Sequence, residues 1–140
     1  MSRPAEWAYV ALGSNLGDRA GILEVAREAL RALPMTTLAA ASRIEETTPL
    51  AGMDQPPYLN QMVLLKTALD PHTLLAACQA IELSAGRARA GHWAPRTLDL
   101  DIVRFGNRHL DEPDLIIPHP ELSNRDFWLR ELAELRPHEL

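Results

Sequence analysis

Two aspartates stand in a strictly alternating segment, residues 97–102 (TLDLDI). Successive side chains of a strand point to opposite faces, so Asp99 and Asp101 would share one face, about 7 Å apart, while the leucines face a core. Aspartate is a poor strand former, and two neighbouring carboxylates repel each other. A divalent cation would relieve that repulsion, and all-oxygen ligands favour magnesium. The alternative is a solvated polar face on an edge strand.

A basic segment that also carries an aromatic residue comes just before this pair. Arg87, Arg89 and Arg96 fall within ten residues, with His92 and Trp93 between them. Guanidinium groups bind phosphate in a bidentate manner, and cations stabilise the charge that develops during phosphoryl transfer. Each arginine taken alone is more simply a solvated surface charge. Beside the two aspartates, the segment predicts a site for a nucleotide triphosphate with magnesium.

Other chemistries find little support in the composition. The chain has no GxxxxGK[ST] phosphate-binding loop, and its single cysteine, Cys78, excludes an internal disulfide or a cysteine-rich zinc site. A net charge of -5 with a pI of about 5.5 argues against a nucleic-acid-binding domain that depends on bulk positive charge. The first six residues lack the apolar core of a signal peptide, and no apolar run is long enough to span a membrane. We therefore expect a cytoplasmic protein.

The elements that would position these residues alternate between strand and helix. Hydrophobic periodicity predicts strands over 7–12, 36–46, 59–67 and 97–105, helices over about 18–33, 70–86 and 124–135, and a proline-rich connection over 112–120. This order predicts an α+β fold: a ferredoxin-like antiparallel sheet with a βαββαβ core, helices packed on one face, and an additional C-terminal helix. A length of 140 residues suits one domain, so we expect residues 1–140 to form a single unit.

Several helix ends can be predicted from capping residues. Asp18 is a suitable N-cap for the first helix, and Asp70 followed by Pro71 is a strong start for the second. Gly86 is a plausible C-terminal stop for that second helix. Ser123 with Asp126 three residues later resembles a capping box at the start of the third helix.

Four segments of the chain, in order, resemble the 6-hydroxymethyl-7,8-dihydropterin pyrophosphokinase family. They are residues 11–18 (ALGSNLGD), 48–60 (TPLAGMDQPPYLN), 93–102 (WAPRTLDLDI) and 117–127 (IPHPELSNRDF). The resemblance implies transfer of the β,γ-pyrophosphate of ATP to the hydroxymethyl oxygen of the pterin, with release of AMP, in folate biosynthesis. It further implies that Asp99 and Asp101 hold two magnesium ions that bridge the triphosphate and the attacking hydroxyl.

The resemblance also implies roles for individual side chains. The residues implied in catalysis are Arg87, Arg96, Asp99 and Asp101. Those implied in ATP binding are Glu82, Arg87, His92, Arg96, His119 and Arg125. Those implied in pterin binding are Thr47, Pro49, Leu50, Tyr58, Asn60, Trp93 and Phe127. Without the resemblance, Tyr58 and Phe127 would be taken for core residues, since aromatic side chains usually pack. We expect a monomer whose partners are the two small molecules, with neither nucleic acid nor membrane.

The sequence departs from the family pattern at a few positions, and two other functions remain as alternatives. The basic loop is one residue shorter around Ala90, Pro120 stands where some members have tyrosine, and Asp114 stands where some have arginine. One alternative is a ferredoxin-like RNA-binding module, against which the acidic pI and the lack of aromatics on residues 36–46 and 97–103 argue. The other is a regulatory pterin- or nucleotide-binding protein without catalysis, against which the intact aspartate pair argues.

Overall fold

An antiparallel sheet forms the centre of the protein. The computed structural model describes residues 3–15, 17–48, 57–87 and 98–139, and for residues 86 and 87 the backbone alone. Within these ranges five strands form the main sheet: β1 (Glu6–Ser14), β2 (Thr36–Ala41), β3 (Glu45–Thr47), β4 (Tyr58–Thr67) and β5 (Asp99–Phe105). The strand order is β2-β4-β1-β5, and β3 also pairs with β4. Every described pairing is antiparallel, which confirms the expected sheet type.

Helices cover both faces of this sheet. They are α1 (Arg19–Arg31), α2 (Pro71–Arg87) and α3 (Asp126–Leu135). Strand residues such as Val10 and Leu12 pack in one core with α1 and α2, whereas Tyr9 and Ala11 pack in a second core with α3. The prediction of helices on a single face was therefore wrong. A sequence signal was present in β4, where residues 62–65 are consecutive apolar side chains, all fully buried, as in strands with both faces covered.

The predicted strand over 36–46 is two shorter strands on the same edge of β4. Ser42 lies at the break: its Oγ accepts a hydrogen bond from the Met62 backbone N–H at 2.9 Å, and its carbonyl accepts one from the Gln61 side chain at 2.6 Å. Ala41 pairs with Val63 and Glu45 pairs with Asn60, so the segment that joins β2 to β3 advances by one residue more than β4, its partner, between these two pairs. The outer strand therefore holds one extra residue, which is the geometry of a bulge.

The helix caps follow the sequence in two cases and depart from it in two. Asp18 and Asp70 accept backbone N–H groups at 3.1 and 2.8 Å, so both N-caps are confirmed. Gly86 does not stop α2, which continues to Arg87. The capping box at Ser123 is absent, because Arg125 is the N-cap of α3 and makes no side-chain cap bond. A 3-10 turn, Leu122–Asn124, occupies that position instead.

The proline-rich connection contains a small hairpin that the sequence analysis missed. Strands β6 (Leu110–Glu112) and β7 (Leu115–Ile117) pair with each other, and Leu115 and Ile117 are buried in the core shared with α1 and α2. The peptide bond that follows, between Ile117 and Pro118, is cis. The hairpin brings the chain back to β5, where the His119 N–H donates to the Val103 carbonyl at 2.9 Å. None of the helices in the described ranges is long and apolar enough to cross a membrane.

Candidate active site

A cavity of about 740 Å³ opens on the α3 side of the sheet, beside the first turn of that helix. Its wall combines carboxylates, amides, one guanidinium and aromatic rings, a mixture typical of small-molecule sites. The residues that line it are Ala11, Leu12, Gly13, Thr47, Thr48, Tyr58, Asn60, Asp99, Asp101, Glu121, Asn124, Arg125, Phe127 and Trp128.

The floor of the cavity is made by small residues of β1. Gly13 lies between Asp99 on one neighbouring strand and Asn60 on the other, while Ala11 lies beside Asp101. Cross-strand partners project to the same face of a sheet, so these side chains surround a nearly bare stretch of β1 backbone. A Cβ on Gly13 would lie 3.4 Å from Oδ1 of Asn60, inside the space that the cavity now holds.

Asp99 and Asp101 occupy the same side of β5 and both line the cavity, whereas Leu100 and Ile102 are buried in the opposite core. The alternation expected from the sequence is thus present. Glu82 on α2 accepts the Leu100 backbone N–H at 2.7 Å, which anchors β5 at the residue between the two aspartates. The aspartates are only partly buried and offer carboxylate oxygens alone, so this pair fits magnesium, which favours oxygen ligands and keeps several waters.

A histidine and an arginine are held near the aspartates by Trp128. The His119 ring meets Trp128 edge-on at 4.9 Å between centroids, and the Arg125 guanidinium lies over the same indole at 4.4 Å. His119 Nδ1 accepts the Glu121 N–H at 3.0 Å, and its Nε2 lies 3.7 Å from Oδ1 of Asp101. The buried indole of Trp128 therefore orients an imidazole and a guanidinium beside the carboxylate pair.

Aromatic and amide side chains of the same cavity are suited to a flat polar ring. Tyr58 and Phe127 supply aromatic surface there. The Asn60 amide N–H₂ donates to Thr47 Oγ1 at 2.6 Å, so the amide orientation is set and Oδ1 faces the floor at Gly13. Burial, and then the negative charge of Asp99, raise the pKa of Tyr58, so its hydroxyl stays protonated near neutral pH.

The structure brings together seven of the residues implicated from the sequence. Thr47, Tyr58, Asn60, Asp99, Asp101, Arg125 and Phe127 line the cavity. His119 stands next to it through Asp101, while Glu82 is not among the lining residues and instead binds the backbone of β5. Pro49, Leu50, His92, Trp93, Arg96 and the side chain of Arg87 lie outside the described residues.

Sequence reasoning missed several contributors to the cavity. Neither Trp128 nor Gly13 was among the site residues expected from the sequence. Trp128 had a weak signal, since it is the aromatic residue next to Phe127 at the start of an amphipathic helix. Gly13 comes directly after the strand predicted over 7–12, where a glycine is ordinarily part of a turn, and only the structure shows that it lies within β1 without a positive φ. Glu121 and Asn124 lie in the family-like segment 117–127, but nothing in their types or spacing singles them out, and it is the 3-10 turn Leu122–Asn124 that brings them to the cavity.

Comparison with known proteins identifies the family. Residues 9–137 match the family model described as 7,8-dihydro-6-hydroxymethylpterin-pyrophosphokinase (HPPK). The chain belongs to the HPPK family. A 2-amino-4-hydroxy-6-hydroxymethyldihydropteridine pyrophosphokinase of Pseudomonas aeruginosa is 47% identical over 92% of this chain and 80% of the relative. The protein of the same name from Bacillus subtilis is 44% identical over 91% of this chain and 77% of the relative. The predictions of family, enzyme class and folate-pathway pyrophosphoryl transfer are thereby confirmed.

Solved structures support the fold. The HPPK-DHPS protein of Plasmodium falciparum, in a crystal with pterin and p-hydroxybenzoate, superposes with a TM-score of 0.72 at 16% identity. This chain is covered to 96%, but it spans only 40% of that longer protein. A second HPPK-DHPS structure, with substrates bound, gives a TM-score of 0.70 at 14% identity. At such identities the likeness concerns the fold alone.

Proposed function

We propose that the cavity beside α3 is where this HPPK transfers the β,γ-pyrophosphate of ATP to the hydroxymethyl group of 6-hydroxymethyl-7,8-dihydropterin. One observation carries the proposal: a carboxylate pair suited to magnesium and an aromatic pocket with an oriented amide open into the same space. The transferred group must pass from a charged triphosphate to a hydroxyl on a flat ring. A site for that transfer needs both environments within reach of each other, since positioning supplies much of the rate.

The phosphate end of the proposed site is formed by groups from β5, from the segment after β7 and from the basic loop. Asp99 and Asp101 hold magnesium, two ions in the full complex. When bound, the metal neutralises phosphate oxygens and orients the triphosphate. His119 and Arg125, both oriented by Trp128, contact the phosphate groups. Four further residues complete the ATP site in this proposal: Glu82, Arg87, His92 and Arg96. Arg87 and Arg96 stabilise the charge that develops as the pyrophosphate leaves AMP.

The pterin end binds the ring by stacking and by its polar edge. Tyr58 and Phe127 stack on the two faces, and Asn60, held by Thr47, hydrogen-bonds the edge. Three residues of the two loops complete the pocket in this proposal: Pro49, Leu50 and Trp93. The bare floor at Gly13 leaves room for the hydroxymethyl group between the ring and the aspartates. The protonated Tyr58 adds no negative charge beside Asp99, which favours approach of the triphosphate.

The remaining expectations about the whole chain belong to the same proposal. The strand order is β2-β4-β1-β5; along the chain, α1 lies between β1 and β2, and α2 lies between β4 and β5. This arrangement supports a ferredoxin-like βαββαβ core, with α3 added on the opposite face. The match over residues 9–137 supports a single domain over residues 1–140. A monomer in the cytoplasm, with ATP and the pterin as its partners and with neither nucleic acid nor membrane, is the simplest state for such an enzyme.

The proposed site is tested by the product and by one aspartate. Protein with ATP, magnesium and the hydroxymethyl pterin should release AMP, and chelation of magnesium should stop the reaction. Asp101→Asn should lower kcat by about 100-fold or more while the thermal unfolding curve stays in place, because the side chain faces an open cavity. Asp111→Asn, on an exposed residue of β6, is the matched control and should behave as wild type. ADP as the product, or an active Asp101→Asn variant, would contradict the proposal.

A further inference from the structure

A carboxyl group of α3 is buried without any hydrogen-bond donor among the described residues. Glu131 is 1% exposed, and neither of its oxygens has a donor there. The same is true of Oε2 of Glu45, on β3. Arg130, the residue next to Glu131, holds Glu45 against α3, and the two carboxyl groups are close enough to share a hydrogen bond when one of them is protonated. A proton on one of them supplies the missing donor, since a protonated carboxyl group can donate to an ionised one.

The proton belongs to Glu131. Oε1 of Glu45 accepts from Arg130 Nε at 3.1 Å, and Arg130 Nη2 lies 3.1 Å from the same oxygen. Glu45 is therefore the ionised partner. Burial first, and then the hydrogen bond and charge of Glu45, raise the pKa of Glu131 to about 9. The charge of Arg130 lowers the pKa of Glu131, and that of Glu134 raises it further. Glu45, Arg130 and Glu134 are the charged groups that act most on Glu131.

The contact joins the elements that carry two walls of the cavity. Glu131 lies four residues after Phe127, so both occupy one face of α3, one turn apart. Glu45 lies two residues before Thr47 on β3 and is the register partner of Asn60. Phe127, Thr47 and Asn60 all line the cavity, and all three belong to the pterin end in the function proposed above. The distance between α3 and β3 therefore sets the width of that end.

We propose that Glu131 is a positioning residue for the pterin: a neutral carboxylic acid whose proton is donated to Glu45, which joins α3 to β3 and holds Phe127 opposite Thr47 and Asn60. This role rests on the proposed function, since it takes the pterin to bind between those residues. Glu131 touches no reacting group and acts only through the spacing of the two elements.

Loss of this proton places two carboxylates together in a buried site, where their repulsion is poorly screened. Two partly exposed ion pairs still join α3 to residues 43–45, namely Arg130 with Glu45 and Arg43 with Glu134. Such exposed ion pairs are weak compared with the repulsion of two buried carboxylates. Helix α3 then moves away from β3, and the pterin pocket between them loses its shape. Pterin affinity should fall as the pH rises through the pKa of Glu131, whereas the phosphate end should change less.

The first test measures pterin affinity against pH. The dissociation constant of the pterin is determined by its fluorescence, with a nonhydrolysable ATP analogue and magnesium present, from about pH 7 to pH 10. If only the protonated form binds well, the wild-type constant should rise about tenfold over this range. Glu131→Gln keeps a donor and cannot ionise, so its constant should lack this rise. Ionisation of the pterin itself is common to both proteins and cancels in their ratio. Glu24→Gln, on an exposed residue of α1, should follow wild type.

The second test detects the proton directly. Infrared difference spectra near neutral pH should show the carbonyl stretch of a buried carboxylic acid in wild type and in Glu24→Gln, and its loss in Glu131→Gln. Absence of that band from wild type, or an equal rise of the pterin constant in wild type and Glu131→Gln, would overturn the proposal. A protein with the band that binds no pterin at any pH would contradict the pterin site itself, and with it this role. The two failures are thus distinguishable.

Discussion

Replacing Glu131 with glutamine should change how the stability of the protein depends on pH. The ordinary pKa of a glutamate side chain is 4.5, and the folded state raises the pKa of Glu131 to about 9. Between these values the folded protein holds a proton that the unfolded chain has released. Stability from this group is therefore fully present below the unfolded pKa and is lost as the pH rises through the folded pKa.

The size of the effect follows from the interval between the two pKa values. One pH unit corresponds to about 1.4 kcal/mol of unfolding free energy per proton. From the ordinary pKa of 4.5 to neutral pH, wild type should therefore lose about 3 kcal/mol through this group alone. Domains of this kind have total stabilities of about 5–15 kcal/mol, so the loss is a large share. Glu131→Gln has no such proton and avoids the loss.

Urea unfolding of both proteins from about pH 5 to pH 8 measures the prediction. The free energy of unfolding of Glu131→Gln minus that of wild type should increase by about 1.4 kcal/mol per pH unit, because all other titrating groups cancel. The buried glutamine carbonyl lacks a partner, which adds an offset that does not depend on pH. The slope is therefore the diagnostic quantity, with Glu24→Gln, on an exposed residue of α1, as the control of zero slope. A flat difference for Glu131→Gln would show that Glu131 is ionised in the folded protein, and the reasoning would fail.

Two further substitutions test the floor and the side of the cavity. Gly13→Val should raise the KM of the pterin by about tenfold or more, because its methyl groups enter the space beside Asn60, whereas Gly13→Ala, whose Cβ makes only a 3.4 Å contact, should change it far less. Steady-state kinetics on both variants decide this, and equal KM values would contradict it. Trp128→Ala should lower the free energy of unfolding by about 3–5 kcal/mol in urea, because the indole is 2% exposed. A loss below about 1 kcal/mol would contradict its assignment to the core.

The parts of the fold that the sequence predicted well depend on local pattern. Residues 98–102 alternate, and the strand places its aspartates and leucines on opposite faces. Asp18 and Asp70 cap helices because their carboxylates reach backbone N–H groups within one turn. The break at Ser42 could not be predicted in the same way, since its hydrogen bonds are to β4, about twenty residues away. The hairpin of β6 and β7 was hidden because its strands have three residues each, Pro113 lies in its turn and Pro118 follows its second strand.

The same distinction between local pattern and long-range contacts applies to the residues of the site. The carboxylate pair was predictable because its type and spacing are unusual in the chain itself, whereas Tyr58 and Phe127 were assigned to the site only through the family resemblance. Trp128 gains its role only from His119 and Arg125, which reach it through a cis peptide bond and a 3-10 turn. Glu131 is harder still, since an isolated glutamate in an amphipathic helix is ordinarily exposed. Its burial depends on Glu45, whose own position follows from the bulge after β2.

The position of the cavity follows from a gradient of side-chain size along β1. On the face toward α3, that strand presents Tyr9, then Ala11, then Gly13. Tyr9 and Ala11 are buried in the core that contains Leu132 and Leu135 of α3, whereas Gly13 lies beside the first turn of that helix. A larger residue at position 13 would fill the space that α3 leaves uncovered. The start of α3 and the loss of side chains on β1 together create a gap in an otherwise packed face, and Asp99, Asp101 and Asn60 stand at its edges because their strands flank β1.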